Sequence, residues 1–258
     1  MWEKQLAAAI KAGELAKRSI LEIYKSDFKV EIKKDKSPVT AADKKADEII
    51  STYLKKAYPS YAILSEESKD DMNRLKNDFV WIIDPLDGTT NFVNKNNEFT
   101  INIALVHKHK VVVGVIIIPV TSEIYYATDH GGAFRSVKGS VKELHVSNRT
   151  SSLRILLSRS HHSKKEENIY QKMANKISNK TYVGAAIKAC MIAKGDAELS
   201  IGLNDKTKEW DTAAMQIILK EADGIFIEPN GTWLTYNRQD TTNRKGYVMA
   251  NKRKNILL

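Results

Sequence analysis

The sequence predicts an α+β / α/β layered sandwich, with an α+β first half followed by an α/β second half. In the first half, two stretches with helical spacing of apolar residues precede several strand-like runs in succession. After a polar stretch at residues 146–152, strand-like and helical segments alternate instead. This change of pattern predicts an N-terminal α+β domain with an antiparallel sheet over residues 1–148 and an α/β domain over residues 149–258.

The elements of the first half follow from the spacing of apolar residues. Helical spacing predicts helices over residues 2–24 and 41–57, and Pro59 ends the second helix. Runs of β-forming residues predict strands over residues 62–64, 79–83, 100–106, 111–118 and 124–127. A short turn rich in His and Lys joins the third and fourth runs, so we expect a hairpin there.

In the second half the predicted elements are shorter and alternate. Strands are expected over residues 153–157, 225–227 and 247–250. Helices are expected over residues 163–178, 185–194 and 211–222, and the last of these ends before Gly224.

The composition favours a phosphate-bearing partner and a reducing compartment. With 41 Lys and Arg against 31 Asp and Glu, the net charge is +10, which suggests nucleic acid, anionic lipid or a small anionic substrate. The single cysteine, Cys190, can form neither an internal disulfide nor a cysteine-based metal site. The N-terminus lacks an apolar signal-peptide core, and the longest apolar run is too short to span a membrane. We therefore expect a cytoplasmic protein.

The segment at residues 81–92 carries the strongest chemical signal. A hydrophobic strand delivers Asp84 and Asp87 to its C-terminal end, Pro85 makes the chain turn, and Gly88 permits a positive φ. Two carboxylates on a rigid turn form the oxygen-rich site that Mg²⁺ prefers. An Asp-rich loop with ordinary side-chain turns is the alternative.

Three further acidic positions have both a structural and a functional interpretation. Glu66 lies in Ser-Glu-Glu-Ser and belongs either to a solvated loop or to a ligand set. Asp211 directly precedes a predicted helix, where an N-cap is the structural alternative. Asp43 lies three residues after Thr40, which is the spacing of a capping box.

Four segments occur in an order that identifies a family: Lys36-Ser-Pro-Val-Thr-Ala-Ala-Asp43, Leu64-Ser-Glu-Glu67, Trp81-x-x-Asp-Pro-Leu-Asp-Gly-Thr89 and Glu209-Trp-Asp-Thr-Ala-Ala214. In these segments the chain resembles the inositol monophosphatase superfamily of Mg²⁺-dependent, typically lithium-sensitive phosphomonoesterases. It looks most like the 3′(2′),5′-bisphosphate nucleotidase (CysQ-type) branch. The resemblance implies alternating α-β-α-β-α layers, as in the fructose-1,6-bisphosphatase-like fold.

The resemblance also implies a role for each acidic position. The implied metal ligands are Glu66, Asp84, the carbonyl of Leu86, Asp87 and Asp211. Asp43 would hold a further metal ion or its waters. Thr89 would lie beside the attacking water, and with Glu66 or Asp43 it would help to take up the proton. The implied cofactor is about two or three Mg²⁺ ions, with Li⁺ inhibitory.

Such a cluster suits the hydrolysis of a phosphate ester. Metal ions that bridge the phosphate oxygens cancel the charge that repels a hydroxide nucleophile. Without metal, the carboxylates repel one another and their pKa values rise. Backbone N–H groups after Gly88, including those of Thr89 and Thr90, and at the helix that follows Asp211 are expected to help hold anionic substrate oxygens.

Three further segments resemble the nucleotidase branch and predict the substrate. They are Glu98-Phe-Thr-Ile-Asn-Ile-Ala104, Ser158-Arg-Ser-His161 and Gly184-x-x-x-Lys188. By this resemblance Arg159 and His161 meet the nucleotide, and Gly184 and Lys188 approach the second phosphate or the ribose. Solvated surface side chains are the alternative. The implied reaction converts adenosine 3′,5′-bisphosphate to AMP and phosphate.

Two departures favour a different substrate in the same family. Thr90-Asn91 is the pair typical of inositol monophosphatases, and Gly184-Ala185-Ala186 replaces the Gly-Ser-Ser of the nucleotidase branch. An inositol-1-monophosphatase is therefore the alternative enzyme. A basic nucleic-acid-binding module is the alternative of another class, although the sequence has no helix-turn-helix signature or basic platform with interleaved aromatics. We expect a small phosphorylated substrate and no stable nucleic-acid partner, with a homodimer left open.

Overall fold

The computed structural model describes residues 1–32, 38–160 and 163–256, and its elements are numbered in chain order. In this part of the chain the helices are α1 (Glu3–Lys25), α2 (Ala41–Ala57), α3 (Thr89–Val93), α4 (Lys164–Lys172), α5 (Ile187–Ala193) and α6 (Glu209–Glu221). The strands are β1 (Val30–Ile32), β2 (Pro38–Thr40), β3 (Ala62–Ser65), β4 (Phe79–Asp87), β5 (Thr100–His107), β6 (Lys110–Ile118), β7 (Glu123–Thr128), β8 (Ala133–Val137), β9 (Ser140–Glu143), β10 (Leu153–Ser158), β11 (Ile177–Val183), β12 (Leu199–Gly202), β13 (Ile225–Ile227) and β14 (Tyr247–Ala250). None of the described helices has both the length and the apolar character needed to cross a membrane.

Local signals explain why α2 spans the predicted residues. The Thr40 hydroxyl accepts the Ala42 N–H at 3.1 Å, while the Thr40 N–H donates to the Asp43 carboxylate at 2.8 Å. This is the predicted capping box, which satisfies backbone donors that have no partner inside the helix. Because Pro59 lies just beyond the other end, both limits of α2 are set by nearby residues.

The larger sheet of the described chain has seven strands in the order β3-β4-β5-β6-β7-β8-β9. The pair β3 and β4 is parallel, and every other neighbouring pair is antiparallel. The predicted hairpin of β5 and β6 is confirmed, with Ala104 opposite Gly114. The sequence pattern does not predict β8 and β9, which extend the same meander.

A second sheet has five strands in the order β11-β10-β12-β14-β13 among the described residues. The strand β10 is parallel to both β11 and β12, whereas β14 is antiparallel to β12 and β13. The sequence pattern does not predict β12 either. The short strands β1 and β2 pair separately as an antiparallel ribbon.

The helices and the two sheets form alternating α-β-α-β-α layers. One face of the seven-stranded sheet packs Trp81 against α1 and α2. Between the sheets, α5 and α6 belong to one buried cluster that also includes Val80 of one sheet and Met249 of the other. On the far side of the five-stranded sheet, α4 contributes the buried Tyr170. The layered architecture is confirmed, and burial on both faces explains the near-continuous apolar runs of β5 and β6.

The prediction of one helix over residues 163–178 is wrong. Ser163 and Glu166 form a capping box that starts α4, but the helix ends at Lys172. A 3₁₀ turn follows over Ala174–Lys176, and the next residues form β11, paired in parallel with β10. This pairing depends on β10, which lies on the other side of α4 in the sequence, so a local pattern of charged residues does not reveal it.

The predicted division after residue 148 remains a prediction. Each proposed domain contains one of the two larger sheets, yet α5 and α6 join both sheets into one buried cluster. The polar stretch at residues 146–152 is packed against the second half. Within it, the Val146 N–H donates to the Ala222 carbonyl, and the Arg149 carbonyl accepts from the Asn251 side chain.

Candidate active site

A β-bulge in β4 brings Asp84 and Asp87 to one site. Asp84 pairs with Asn102 and Asp87 with Thr100, so three steps along β4 match two along β5. Residues three apart on a regular strand point to opposite faces, and the extra residue of the bulge restores a common direction. Pro85 suits this position because it has no N–H to contribute to the ladder. The strand predicted to end at residue 83 therefore continues to Asp87.

The turn after β4 requires a glycine. Gly88 has a φ of 94° and directly precedes α3. A Cβ at this position would lie 2.8 Å from the carbonyl oxygen of Glu98. The predicted positive φ is confirmed, and the turn places Thr89 and Thr90 at the start of the short helix.

Asp211 joins the two aspartates of β4 from the second half of the chain. One carboxylate oxygen from each of Asp84, Asp87 and Asp211 lies within 4.8 Å of the other two. Asp211 is not the N-cap of its helix, because α6 begins two residues earlier, at Glu209. Its carboxylate instead accepts the backbone N–H of Lys208, which fixes it at the first turn of α6.

One oxygen of Asp84 indicates what this cluster could bind. Asp84 Oδ1 accepts the Leu86 N–H at 3.1 Å, but the buried Oδ2 has no hydrogen-bond partner among the described residues. A buried acceptor left unpaired costs about 1–3 kcal/mol, and more when it is charged. A set of carboxylate oxygens with one buried oxygen unpaired fits a hard divalent cation such as Mg²⁺.

Burial and like charges raise the pKa values of this cluster. Burial raises the pKa of Asp84 well above its usual range, and repulsion from Glu66, Asp87 and Asp211 raises it further. Burial also raises the pKa of Asp211, with Asp87 and Glu66 adding to the effect. A bound cation would reverse both shifts, because it supplies the missing positive charge.

Asp87 has several protein partners. Its Oδ2 accepts hydrogen bonds from Asn102 at 3.2 Å and from Thr100 at 3.4 Å. The buried ammonium group of Lys188 attracts this carboxylate, and the nearby Ala186 N–H also favours its charged form. Burial remains the larger effect and raises the pKa of Asp87. Sequence reasoning gives Asn102 and Thr100 no role, although polar residues inside an otherwise apolar strand are a signal for such contacts.

Thr89 connects α3 to α2. Its hydroxyl lies 2.8 Å from Asp43 Oδ1 and 3.2 Å from the carbonyl oxygen of Leu86. Asp43 uses its other oxygen, Oδ2, for the capping box with Thr40. Burial raises the pKa of Asp43, although hydrogen bonds from Thr40 and Thr89 oppose the increase. Asp43 therefore caps α2 with Oδ2 and accepts the hydrogen bond of Thr89 with Oδ1.

Glu66 lies in a turn that is held at both ends. The serines on either side of the Glu66-Glu67 pair, Ser65 and Ser68, donate to the two oxygens of Asp47, each at 2.5 Å. The turn is therefore anchored to α2 rather than being a loosely solvated loop. Sequence reasoning gives Asp47 no role, and the available signal is its place one helical turn after Asp43, on the same face of α2.

These side chains line a cleft of about 650 Å³. Among the predicted site residues that the structure describes, all except Asp43 and Arg159 line it. Lys188, Lys206 and Lys208 contribute positive charge to its wall, which suits an anionic ligand.

One predicted substrate contact, Arg159, pairs with Glu98 and is not among the described residues that line the cleft. The Nε and Nη2 atoms of Arg159 each lie 2.6 Å from an oxygen of Glu98, so its role as a substrate contact remains a prediction. His161 lies outside the described residues, as does Lys36 of the first motif. Lys188 is buried, and it donates to the Ala185 carbonyl at 2.9 Å. Burial lowers the pKa of Lys188, although the charge of Asp87 opposes the decrease.

Comparison with known proteins agrees with this site. A model of the inositol monophosphatase family matches residues 1–256. The chain is 33% identical over 250 residues to the 3′(2′),5′-bisphosphate nucleotidase CysQ of Salmonella typhimurium, covering 96% of this chain and 98% of that protein. The crystal structure of CysQ from Bacteroides thetaiotaomicron is similar with a TM-score of 0.84 and 32% identity, covering 96% of this chain and 98% of that one.

The same fold occurs in a relative described by another name. An IMPase from Thermotoga maritima has a TM-score of 0.81 and 27% identity, covering 96% of this chain and 92% of that one. The resemblance seen in the sequence motifs is confirmed over nearly the whole length. With its carboxylate cluster, its layered fold and this near-complete match, the chain belongs to the inositol monophosphatase family.

Proposed function

We propose that the chain is a Mg²⁺-dependent phosphomonoesterase that removes the 3′-phosphate of adenosine 3′,5′-bisphosphate, giving AMP and phosphate. The main support is the cluster of Asp84, Asp87 and Asp211, in which one buried carboxylate oxygen has no hydrogen-bond partner among the described residues. The cluster lies in a cleft whose wall contains lysines. Similarity to bisphosphate nucleotidases supports the choice of substrate.

The residues that would hold the metal ions are those of the cluster and its rim, namely Glu66, Asp84, Asp87, Asp211 and the carbonyl of Leu86. When bound, Mg²⁺ supplies positive charge to the phosphate oxygens and lowers the pKa of a water molecule. The hydrogen bonds to Asp87 and Asp211 described above keep these carboxylates oriented before any ion arrives, and such support strengthens metal sites.

Thr89 and Asp43 would accept the proton of the attacking water. Thr89 Oγ1 donates its hydrogen to Asp43 Oδ1 over an oxygen–oxygen distance of 2.8 Å. A lone pair of Thr89 Oγ1 is therefore available to accept a hydrogen bond from water. The proton can then pass through Thr89 Oγ1 to Asp43 Oδ1. The raised pKa of Asp43 favours this acceptor, since a base works best when its pKa lies near the working pH.

The remaining phosphate of the substrate needs positive charge in the cleft. Lys188, Lys206 and Lys208 supply it along the cleft wall. The net charge of +10 adds a long-range attraction for a multiply charged anion. We place the activity in the cytoplasm. The chain has a single cysteine, Cys190, and therefore no internal disulfide, which suits a reducing compartment.

An inositol monophosphatase is the second candidate. Thr90-Asn91 and Ala185-Ala186 favour it, because two hydroxyl groups expected in the nucleotidase branch are missing beside Gly184. Gly184, Thr90 and Asn91 line the cleft, so these differences lie where a substrate would bind.

A direct comparison of substrates tests the proposal. Phosphate release is measured with adenosine 3′,5′-bisphosphate, inositol 1-phosphate and AMP, in Mg²⁺ and in EDTA, with and without Li⁺. We expect one phosphate released per bisphosphate, accumulation of AMP, loss of activity in EDTA and inhibition by Li⁺. A kcat/KM about tenfold higher for inositol 1-phosphate, equal to about 1.4 kcal/mol, would overturn the substrate. The Asp87→Asn protein serves as the control for a contaminating phosphatase.

A further inference from the structure

The connection between β11 and α5 begins at Gly184, and Glu98 binds the backbone N–H of that residue. The Glu98 carboxylate accepts the Gly184 N–H at 2.8 Å and two N–H groups of Arg159 at 2.6 Å. Arg159 Nη2 also donates to the carbonyl of Tyr182 at 2.7 Å. Burial alone would raise the pKa of Glu98, but hydrogen bonds from Arg159 and Gly184 outweigh it and lower the pKa. Glu98 is therefore a carboxylate at neutral pH.

The same connection reaches the carboxylate cluster at its other end. The Ala186 N–H and the Lys188 ammonium group lie close enough to the carboxylate of Asp87 to oppose the increase in its pKa, and Lys188 and Asp87 line the same cleft. Lys188 Nζ also donates to the Ala185 carbonyl, which lies within the connection. One short segment, residues 184–188, thus joins Glu98 on one side to Asp87 on the other.

This segment has a conformation that it would not adopt unaided. Ala185 has a φ of 53°, in the left-handed region that is unfavourable for a residue with a Cβ. Gly184 packs so closely on Asn91 that a Cβ there would lie 2.1 Å from Asn91 Nδ2. External contacts must hold such a segment in place, and the bond from Gly184 to Glu98 is one of them.

We propose that Glu98 is a positioning residue for the active site, which fixes the 184–188 segment and through it places the Ala186 N–H and the Lys188 ammonium group against Asp87. Neither Glu98 nor Arg159 is among the described residues that line the cleft. Glu98 acts through the segment rather than by touching the substrate. The inference rests on the proposed function insofar as Asp87 is a metal ligand.

The contacts of Glu98 are not explained by the stability that its ion pair with Arg159 contributes. The Arg159 and Glu98 side chains are 42% and 22% exposed, and ion pairs with this much exposure contribute little to stability. A change confined to Glu98 should therefore alter metal and substrate binding without much effect on the melting temperature. This separation distinguishes positioning from a general structural role.

The test compares three variants of the full-length protein. Calorimetry measures Mg²⁺ binding without substrate, and steady-state assays measure kcat and KM for adenosine 3′,5′-bisphosphate. Glu98→Ala removes both contacts, and we expect Mg²⁺ affinity and kcat/KM each to fall about tenfold, as for other groups that orient metal ligands. Glu98→Gln keeps an acceptor for Gly184 and should recover most of the loss. Arg159→Ala leaves the Gly184 bond intact and should have the smallest effect.

A matched control is available on β7. Glu123 pairs with Arg135 at 2.7 Å, with similar side-chain exposures of 17% and 28%, and does not line the cleft. Glu123→Gln should leave Mg²⁺ affinity and kcat/KM unchanged. All four variants should melt within a few degrees of the wild type.

Three outcomes would overturn the inference. The first is wild-type Mg²⁺ affinity and kcat/KM in Glu98→Ala. The second is a loss in Arg159→Ala that equals that of Glu98→Ala and appears in KM alone, which would make Arg159 a substrate contact. The third is a large drop in melting temperature that parallels the loss of activity. If the wild type hydrolyses neither substrate, the proposed function fails, and the Mg²⁺ titrations still report on Glu98.

Discussion

Thr89 donates its hydroxyl hydrogen to Asp43 across 2.8 Å, and this bond joins the turn after β4 to the first turn of α2. The bond fixes the direction of the hydroxyl, so a lone pair of Thr89 Oγ1 is left for another donor. Because Asp43 is buried and its pKa is raised, it is better prepared to receive a proton than an exposed aspartate would be.

Replacing Thr89 should lower the rate of the chemical step. Thr89→Val has nearly the same size but cannot relay a proton to Asp43, so we expect kcat to fall by about 10²–10⁴, the range typical of general acid–base groups. Thr89→Ser keeps the hydroxyl and should recover most of the rate. A Thr89→Val protein with wild-type kcat would show that the hydroxyl is not part of the reaction.

Asp87→Asn should separate activity from stability. Loss of this carboxylate removes a proposed metal ligand, so turnover should nearly disappear even when Mg²⁺ is raised. In EDTA, the same change removes a like charge from beside Asp84 and Asp211, and the metal-free variant should melt at a higher temperature than the metal-free wild type. Near-wild-type activity at saturating Mg²⁺ would contradict the ligand assignment.

The stability of the metal-free protein should fall as the pH rises from acid to neutral. Folding raises the pKa values of Asp84 and Asp211, so the folded state binds more protons than the unfolded state above the ordinary aspartate pKa of about 3.9. The free energy of unfolding therefore decreases as the pH rises from there through the raised pKa values. Below about pH 4 both states are protonated, and this contribution is complete.

Melting temperatures measured in EDTA at several pH values check this prediction. Asp84→Asn cannot ionise at this position, so its melting temperature should decline less with pH than that of the wild type. Saturating Mg²⁺ should weaken or reverse the wild-type decline, because the cation stabilises the ionised cluster. Equal slopes for wild type and Asp84→Asn in EDTA would count against the raised pKa of Asp84.

Lys188 offers a test of the substrate contacts. Lys188→Met keeps most of the buried volume but removes the positive charge from the cleft. If Lys188 binds the second phosphate of the substrate, KM for adenosine 3′,5′-bisphosphate should rise more than kcat falls. Lys206→Ala removes an exposed positive charge from the same cleft and should have a smaller effect. A fall in kcat with KM unchanged would exclude Lys188 as a ground-state contact.

The sequence predicts those features whose causes are close together in the chain. The limits of α2 follow from Thr40, Asp43 and Pro59, which lie within or beside the helix. The carboxylates of β4 are recognisable because two of them share one short motif. By contrast, β11 depends on its parallel partner β10, and no local pattern marks that pairing. The roles of Glu98 and Asp47 are hidden for the same reason, since their partners come from other elements.

Asp47 provides the last prediction, because it anchors the turn that carries Glu66. Asp47→Ala removes the acceptor of the Ser65 and Ser68 hydroxyls, both at 2.5 Å. Hydrogen bonds to a charged group contribute about 1.5–3 kcal/mol each, and each kcal/mol shifts the melting temperature by about 2–4 °C in chains of this size. We therefore expect a melting temperature lower by at least about 6 °C.

The same variant should weaken Mg²⁺ binding, since Glu66 loses its fixed position. A fall of roughly tenfold in Mg²⁺ affinity, measured by calorimetry below the new melting temperature, is the expected size for a group that supports a metal ligand. Ser51→Ala is the matched control, because Ser51 donates to Asp47 at 3.2 Å from α2 itself and not from the turn. If Ser51→Ala weakens Mg²⁺ binding as much as Asp47→Ala does, the effect comes from α2 as a whole rather than from the anchored turn.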